Sequence, residues 1–584
     1  MIANGTEDAR AMVSLAGERD TATQPRAEAR ESLRPADRRV LVGVLLVALL
    51  VRIGALIRTD VIFNDGPVFL RLAAQMQSGE WHAAFAHDQH PGYPLLIRLA
   101  QTLFGEPHPA AIAVSMLFGC AAVAALYVFL LQAWDRRVAA LGALMLAVNP
   151  YAARFSADVQ TESVYLFFFL ASVTLLFRAL RRASPGWAVA AGVSTALAYL
   201  TRPEGAAILG VAGVLAAVAW LRGSWAARPT MAWFAALAIG AGVVAGPYVS
   251  FVRSVSGGFR VSQKKSLLTI LEFAPGSSAE PAGALSIPAS TATNEIVVVV
   301  LAALGSALIA FSLSRIRGSA ATRVRVDRVS LTVAIVALGL LGAVLAPGPF
   351  GVFAGVVVST LRPEIGLLVA IGIFVRAKSG PRGRSLFVTA VVGLYAVILF
   401  GLLVSYGYVD RRHALPPLTL LLGYAAAGGL VLIDGLTSWL RGRGLDATRS
   451  RVIAWSTIAG LIVAIALPKA WHAHRAEELG ARHAAEWLRD HPGAPGKLAS
   501  GRLKHGWYAG REWMPLWDLG AVKTLDLLDY EGVRFVLAER DVLDASKRPV
   551  APLAENPRFV LVERYTDPSS PNPVVLYELV QRSD

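Results

Sequence analysis

From about residue 40 to residue 470 the chain is a succession of apolar blocks, each of the roughly 20 residues needed to cross a bilayer, with short polar connections between them. The expected spans are 40–57, 110–133, 138–149, 162–178, 186–200, 205–221, 231–252, 295–313, 330–346, 361–375, 386–405, 415–434 and 452–468. That is about thirteen, two of them (138–149 and 186–200) short. Composition agrees. Of 584 residues 55% are hydrophobic and only 17% charged, with a mean hydropathy of +0.52, too little charge to cover a soluble protein of this length. The fold class is therefore an α-helical polytopic membrane protein.

Charge position assigns the two faces. Arg and Lys gather in "WDRR" (134–137), "RALRR" (178–182), Arg222 with Arg228, "SRIRGSAATRVRVDR" (314–328), "RAKSGPRGR" (376–384) and "RGRGLDATRSR" (441–451). With the polar N-terminal tail 1–39, read as a disordered cytoplasmic segment, this set is expected on the cytoplasmic side. The net charge of +15 is thus a matter of topology, and its distribution argues against a nucleic-acid partner. Arg52, near one end of the first span, is expected to snorkel. The single cysteine, Cys120, excludes a disulfide framework and a cysteine-based metal site.

Residues 470–584 change character. "RAEELGARHAAEWLRDH" has helical periodicity, while "RFVLAER", "RFVLVERY" and "VVLYELV" read as strands. They predict a small soluble α/β domain, on the extracytoplasmic side if the span count is odd. The domain limits expected are 1–39, 40–469 and 470–584.

Acidic and basic residues accumulate on that far side. Asp65 follows the first span and precedes the amphipathic "PVFLRLAAQMQ". It can cap that helix, act as a catalytic carboxylate, or do both. "PVFLRLAAQMQ" and "YPLLIRLAQTLFG" could lie flat in the interface or pack on the bundle. "HDQHPGYP" (87–94) supplies Asp88, His87 and His90, a set that could also ligate a divalent metal. "SADVQTESVYL" (156–166) brings Asp158 and Glu162 to the head of a span, where acids suit the helix dipole or face Asp65 across a cavity. Arg411, Arg412 and His413, in "RRHALPPL", stand where positive charge is avoided. The arginines are suited to phosphate oxygens, or they reach for lipid headgroups. Lys264 and Lys265 lie in the long loop 253–294, which is either a substrate-ordered lid or a plain connection.

With "HPGYPLL" (90–96), "SADVQTESVYL", "LTRPEG" (200–205) and "RRHALPPL" in this order after Asp65, the chain resembles the GT-C superfamily of integral-membrane glycosyltransferases. The nearer likeness is to the branch of dolichyl-phosphate-mannose protein mannosyltransferases and aminoarabinose transferases. The resemblance implies a bacterial inner-membrane enzyme that transfers a sugar, with inversion, from a polyprenyl-phosphate carrier to a lipid, glycan or protein acceptor on the non-cytoplasmic face. It implies Asp65 as general base. Asp158, with Glu162, Asp88 and His90, would sit at the acceptor or sugar, and Arg411, Arg412, His413, Lys264 and Lys265 near the donor phosphate. Aminoarabinose transferases carry Glu-Lys-Pro-Pro in the first loop. Here "DQHPGY" puts His90 at that lysine, so neither aminoarabinose nor lipid A carries over. The competing class is a transporter or flippase of lipid-linked sugars, for which inverted repeats and midplane charges would be the signature.

Overall fold

The computed structural model describes residues 34–221, 226–257, 260, 262–263, 347–375, 384–491, 495–516, 527–539, 556–565 and 574–580. The expected spans 295–313 and 330–346, and Lys264 and Lys265, lie outside them. Among the described residues six helices are long and apolar enough to cross a membrane: α1 (Pro35–Ile57), α2 (Pro107–Ala133), α3 (Glu162–Arg182), α4 (Ala227–Ser256), α5 (Arg384–Tyr406) and α6 (Ala447–Ala470). Three further pairs bend by 59°, 86° and 61° at short breaks, giving up to nine spans if each pair is one. These pairs are α7 (Arg136–Ala147) with α8 (Pro150–Ser156), α9 (Pro347–Leu361) with α10 (Pro363–Val375), and α11 (Arg411–Thr419) with α12 (Leu422–Gly442). Proline stands at or beside each break: Pro150, Pro363, and Pro416 with Pro417. Proline lacks the amide that would continue the ladder and clashes with the preceding turn, so a bend follows.

The two sets of polar connections separate to opposite ends of α1. At its start Asp37 holds Arg136 at 2.8 Å, Arg137 holds Asp434 at 2.6 Å, and Arg384 donates to the Ala133 carbonyl. At its other end lie the 58–65 connection and residues 472–475.

Arg52 does not snorkel. It is fully buried and donates to the carbonyls of Ala48, Gly119 and Ala147 and to Ser156 Oγ. Its position on α1 faces the bundle, where four acceptors compensate the lost hydration, and it ties α1 to α2, α7 and α8. Elsewhere the helices approach through small residues. A Cβ on Gly192 of α13 (Pro185–Thr201) would lie 2.2 Å from the Leu237 carbonyl, and one on Gly240 of α4 equally 2.2 Å from that of Val189.

After α6 the described residues form a five-stranded sheet in the order β2-β1-β3-β5-β4. The strands are β1 (Lys497–Ser500), β2 (Trp513–Pro515), β3 (Val533–Glu539), β4 (Phe559–Tyr565) and β5 (Val574–Leu579). β1 runs parallel to β2 and β3, and β5 antiparallel to β3 and β4. The β1–β2 crossover is the helix α14 (Leu503–Ala509). Alternation sorts the side chains. Ala499, Val536 and Leu579 form a core on one face. Leu498, Phe535, Leu537 and Leu576 face the other way, packing with α15 (Leu479–Asp490) in a core shared with Val61, Ile62, Phe69, Tyr93 and Ile97 of the first far-side loop. The amphipathic helices α16 (Gly66–Gln77) and α17 (Gly92–Phe104) therefore pack in part against the C-terminal domain, while Leu103, on the expected apolar face of α17, stays 84% exposed.

Gly240→Val should drive α4 and α13 apart at a cost on the order of 1–3 kcal/mol, as overpacking does. The expected result is a lower thermal midpoint in detergent than for Gly213→Val, at a position with open space around it.

Candidate active site

Asp65 precedes α16 but its side chain makes no cap hydrogen bond. Its Oδ2 instead meets Arg412 Nη1 at 3.4 Å, across 347 positions of sequence. Oδ1 has no protein partner among the described residues, and the side chain is 30% exposed. Arg412 Nη1 also lies 3.8 Å from Glu162, Glu162 is held by Arg202 at 2.6 Å, and Arg202 reaches Glu204 at 3.4 Å. Five charged groups thus form one chain, acid and base alternating.

Arg411 and Arg412 are presented by the start of α11. Asp410 opens the helix, accepting from the Arg411 amide at 2.6 Å, while His413 Nδ1 accepts from the Asp410 amide at 3.1 Å. His413 serves this cap and does not line the cavity described next. The bent pair of α7 and α8 contributes in the same way. Asn149 caps α8 through the amides of Tyr151 and Ala152, and the turn after it delivers Tyr151 and Arg154.

These elements line a cavity of about 240 Å³; Asp65 is not among its lining residues but contacts one of them, Arg412. Its lining includes Arg154, Arg411, Arg412, Arg475, Arg502 and Lys504 against two carboxylates, Asp410 and Glu478. That balance favours an anionic ligand. Asn64 Oδ1, Arg154 Nε, Gln160 Oε1 and Arg412 Nε, all on lining residues, are buried without hydrogen-bond partners among the described residues, and a polar ligand would satisfy them. The Arg411 guanidinium lies over the Tyr151 ring at 5.4 Å and its Nε donates to Ser359 at 3.2 Å.

Asp158 lies behind this wall, almost fully buried. Oδ1 accepts from the amides of Phe63 and Val159, and Oδ2 from Gln160 Nε2 and Arg475. Burial alone would raise its carboxyl. The Arg475 guanidinium and these hydrogen bonds outweigh burial and hold it below the usual carboxylate range. With both oxygens occupied, Asp158 fixes the loop that carries Asp65. Asp88 and His90 are also placed elsewhere. Asp88 pairs with His87 at 2.7 Å. Buried His90 bonds the Tyr199 carbonyl through Nδ1 and Ser262 through Nε2, each at 2.7 Å, joining the "HPGYP" turn to the end of α13. No three of His, Cys, Asp and Glu gather closely enough to hold a metal among the described residues.

Sequence reading did not single out Arg154, Arg202, Arg475, Arg502 or Lys504. Arg202 carried a signal, a charge directly after an apolar helix, but "TRPEG" reads equally as a helix start. The last three sit in a polar tail where charge is ordinary.

The family model described as dolichyl-phosphate-mannose-protein mannosyltransferase matches residues 88–248, a stretch that includes Asp158, Glu162 and Arg202. No curated protein matches the sequence. Among solved structures, the apo oligosaccharyltransferase of Archaeoglobus fulgidus superposes with a TM-score of 0.55 at 13% identity, over 94% of this chain and 74% of that one. The archaeal enzyme in complex with an inhibitory peptide and a dolichol-phosphate gives 0.50 at 13%, over 91% and 74%. Apo ArnT from Cupriavidus metallidurans gives 0.53 at 15%, over 93% and 98%. At such identities the likeness is one of fold. The chain is a multi-pass membrane protein of GT-C fold, and the resemblance read from its sequence is borne out.

His474, on the cavity wall, is pushed down to about 4 by burial first and by Arg475 and Arg154 second. Its ordinary value in the unfolded chain is near 6.5, so below that pH the unfolded state binds the extra proton. Stability should be unaffected by this group above pH 6.5 and decline as pH falls from 6.5 towards 4. Thermal midpoints across that window should fall less steeply for His474→Gln.

Proposed function

We propose that the chain is an inverting glycosyltransferase that moves a sugar from a polyprenyl-phosphate carrier to an acceptor hydroxyl on the non-cytoplasmic face of a bacterial inner membrane. The observation that carries this reading is the meeting of Asp65 at 3.4 Å with Arg412, which lines a cationic chamber. In this mechanism the acceptor oxygen attacks the anomeric carbon from the side opposite the phosphate, and its proton passes to Asp65. The bond from the anomeric carbon to the phosphate oxygen breaks, and its electron pair leaves with the lipid phosphate.

Arg411 is exposed at the chamber and stacked on Tyr151, which suits it to receive the charge that builds on the leaving phosphate. Arg412 stands between Asp65 and Glu162 and sets the distance from base to phosphate seat. Lys264 and Lys265 remain candidates for the same anion. The dolichol-phosphate named with the archaeal oligosaccharyltransferase supports a lipid phosphate as carrier. The Arg-rich connections at the opposite end of α1 support this orientation through the positive-inside rule.

Asp65→Asn should lower kcat for transfer from polyprenyl-phosphate hexoses or pentoses by about 10²–10⁴-fold, with expression and detergent stability unchanged. Transfer by this variant at the normal rate overturns the base assignment. Arg411→Ala should raise the donor KM roughly tenfold, equivalent to about 1.4 kcal/mol. A change in thermal midpoint with unaltered kinetics would return Arg411 to a structural role.

A further inference from the structure

We infer that the C-terminal domain positions the catalytic loop, with Tyr508 and Arg482 as positioning residues for Asp65. This rests on the reading of Asp65 as base given above. Between the end of α1 at Ile57 and the start of α16 at Gly66 the chain has no regular element of its own. Every residue from 58 to 63 is nonetheless gripped from outside. The Arg58 carbonyl accepts from the His474 amide at 2.9 Å, and Thr59 pairs with His474 in a parallel bridge. The Asp60 carbonyl accepts from Arg482. The Val61 carbonyl accepts from Arg475 Nε at 2.8 Å, and the Ile62 amide donates to the Tyr508 hydroxyl at 2.9 Å. The Phe63 amide donates to Asp158, which is itself tied to Arg475.

Five of these six contacts come from beyond the last span, and the sixth runs through a carboxylate that Arg475 holds. Val61 and Ile62 are also buried in the core shared with Ala481, Leu498 and Phe535 of the domain. Arg475 adopts a left-handed backbone, φ 60°, a conformation unfavourable for arginine that persists where its surroundings determine it. The same residue contacts the Val61 carbonyl and Asp158 through its side chain. Two residues after the last gripped position stands Asp65. A segment without its own ladder takes its position from what holds it, so the seat of the domain becomes the seat of the carboxylate.

Tyr508 and Arg482 are the residues on which to test this, because neither lines the cavity and each holds a backbone atom of the loop, at Ile62 and at Asp60. The experiment uses the full-length protein in detergent, with hydrogen exchange of peptides covering 58–66 read beside transfer kinetics from polyprenyl-phosphate sugars. Tyr508→Phe and Arg482→Ala should each accelerate exchange in 58–66 and lower kcat about three- to tenfold, and together about 10²-fold, the scale of a 1 Å misplacement. The donor KM should stay within about twofold, since these residues do not hold the phosphate. Arg482→Lys should recover most of the rate, and it serves in place of the alanine variant if that variant does not fold. Unchanged exchange in 58–66, or faster exchange with an unchanged kcat, overturns the inference. Asp65→Asn keeps the two readings apart. An inactive Asp65→Asn beside a fully active Tyr508→Phe and Arg482→Ala double variant removes only the positioning role. A fully active Asp65→Asn removes the base assignment whatever the exchange shows.

Discussion

The alternating chain Asp65–Arg412–Glu162–Arg202–Glu204 is the constraint on which the far side of this molecule depends. Arg202 and the side chain of Glu162 are only about 5% exposed. A charge so far from water is tolerable only with a partner of opposite sign in good geometry, and removing one partner strands the other. Its five members come from four places in the chain: the first loop, the head of α3, the turn after α13, which supplies both Arg202 and Glu204, and the start of α11. The attraction of opposite charges along this line therefore helps hold four distant segments in register. It is also what brings the Asp65 carboxylate to a guanidinium that lines the chamber.

The breaks in the spans serve the same end. Backbone outside a helix is costly at membrane depth unless it lines a cavity or meets partners there. Here the break before α8 places Tyr151 and Arg154 on the chamber wall, and the bend at α11 places Arg411 and Arg412 there. The third break brings Ser359 to Arg411. Arg52 supplies the structural counterpart, joining α1 to Ser156 at the end of α8. Shortness of the block 138–149 was the sequence sign of one such break, legible as a short span though not as a bend.

Much of the site was legible because charge beside a bilayer is rare and therefore conspicuous. Asp65, Glu162, Arg411 and Arg412 stood out on that ground; Asp65, Arg412 and Glu162 meet, while Arg411 contacts Tyr151 and Ser359. Asp158 stood out equally, yet its oxygens are taken up by the Asp65 loop and by Arg475. Asp88 and His90 looked like chemistry and are found in a packed turn. Arg475, Arg502 and Lys504 gave no sign, because in a polar tail a cation is unremarked until something buries it. Lys504, only 1% exposed and paired with Glu478, is such a case.

Hydropathy and charge bias add residue by residue along a local window. For that reason the sequence alone determined the membrane-spanning character, the segregation of cationic connections, and the three C-terminal runs that became β3, β4 and β5. Which carboxylate meets which guanidinium depends on distances between segments that lie up to about 350 positions apart. So does the seating of the C-terminal sheet domain on a loop more than 400 positions earlier. No local window contains those distances; only the packed helices and the shared core between loop and sheet decide them.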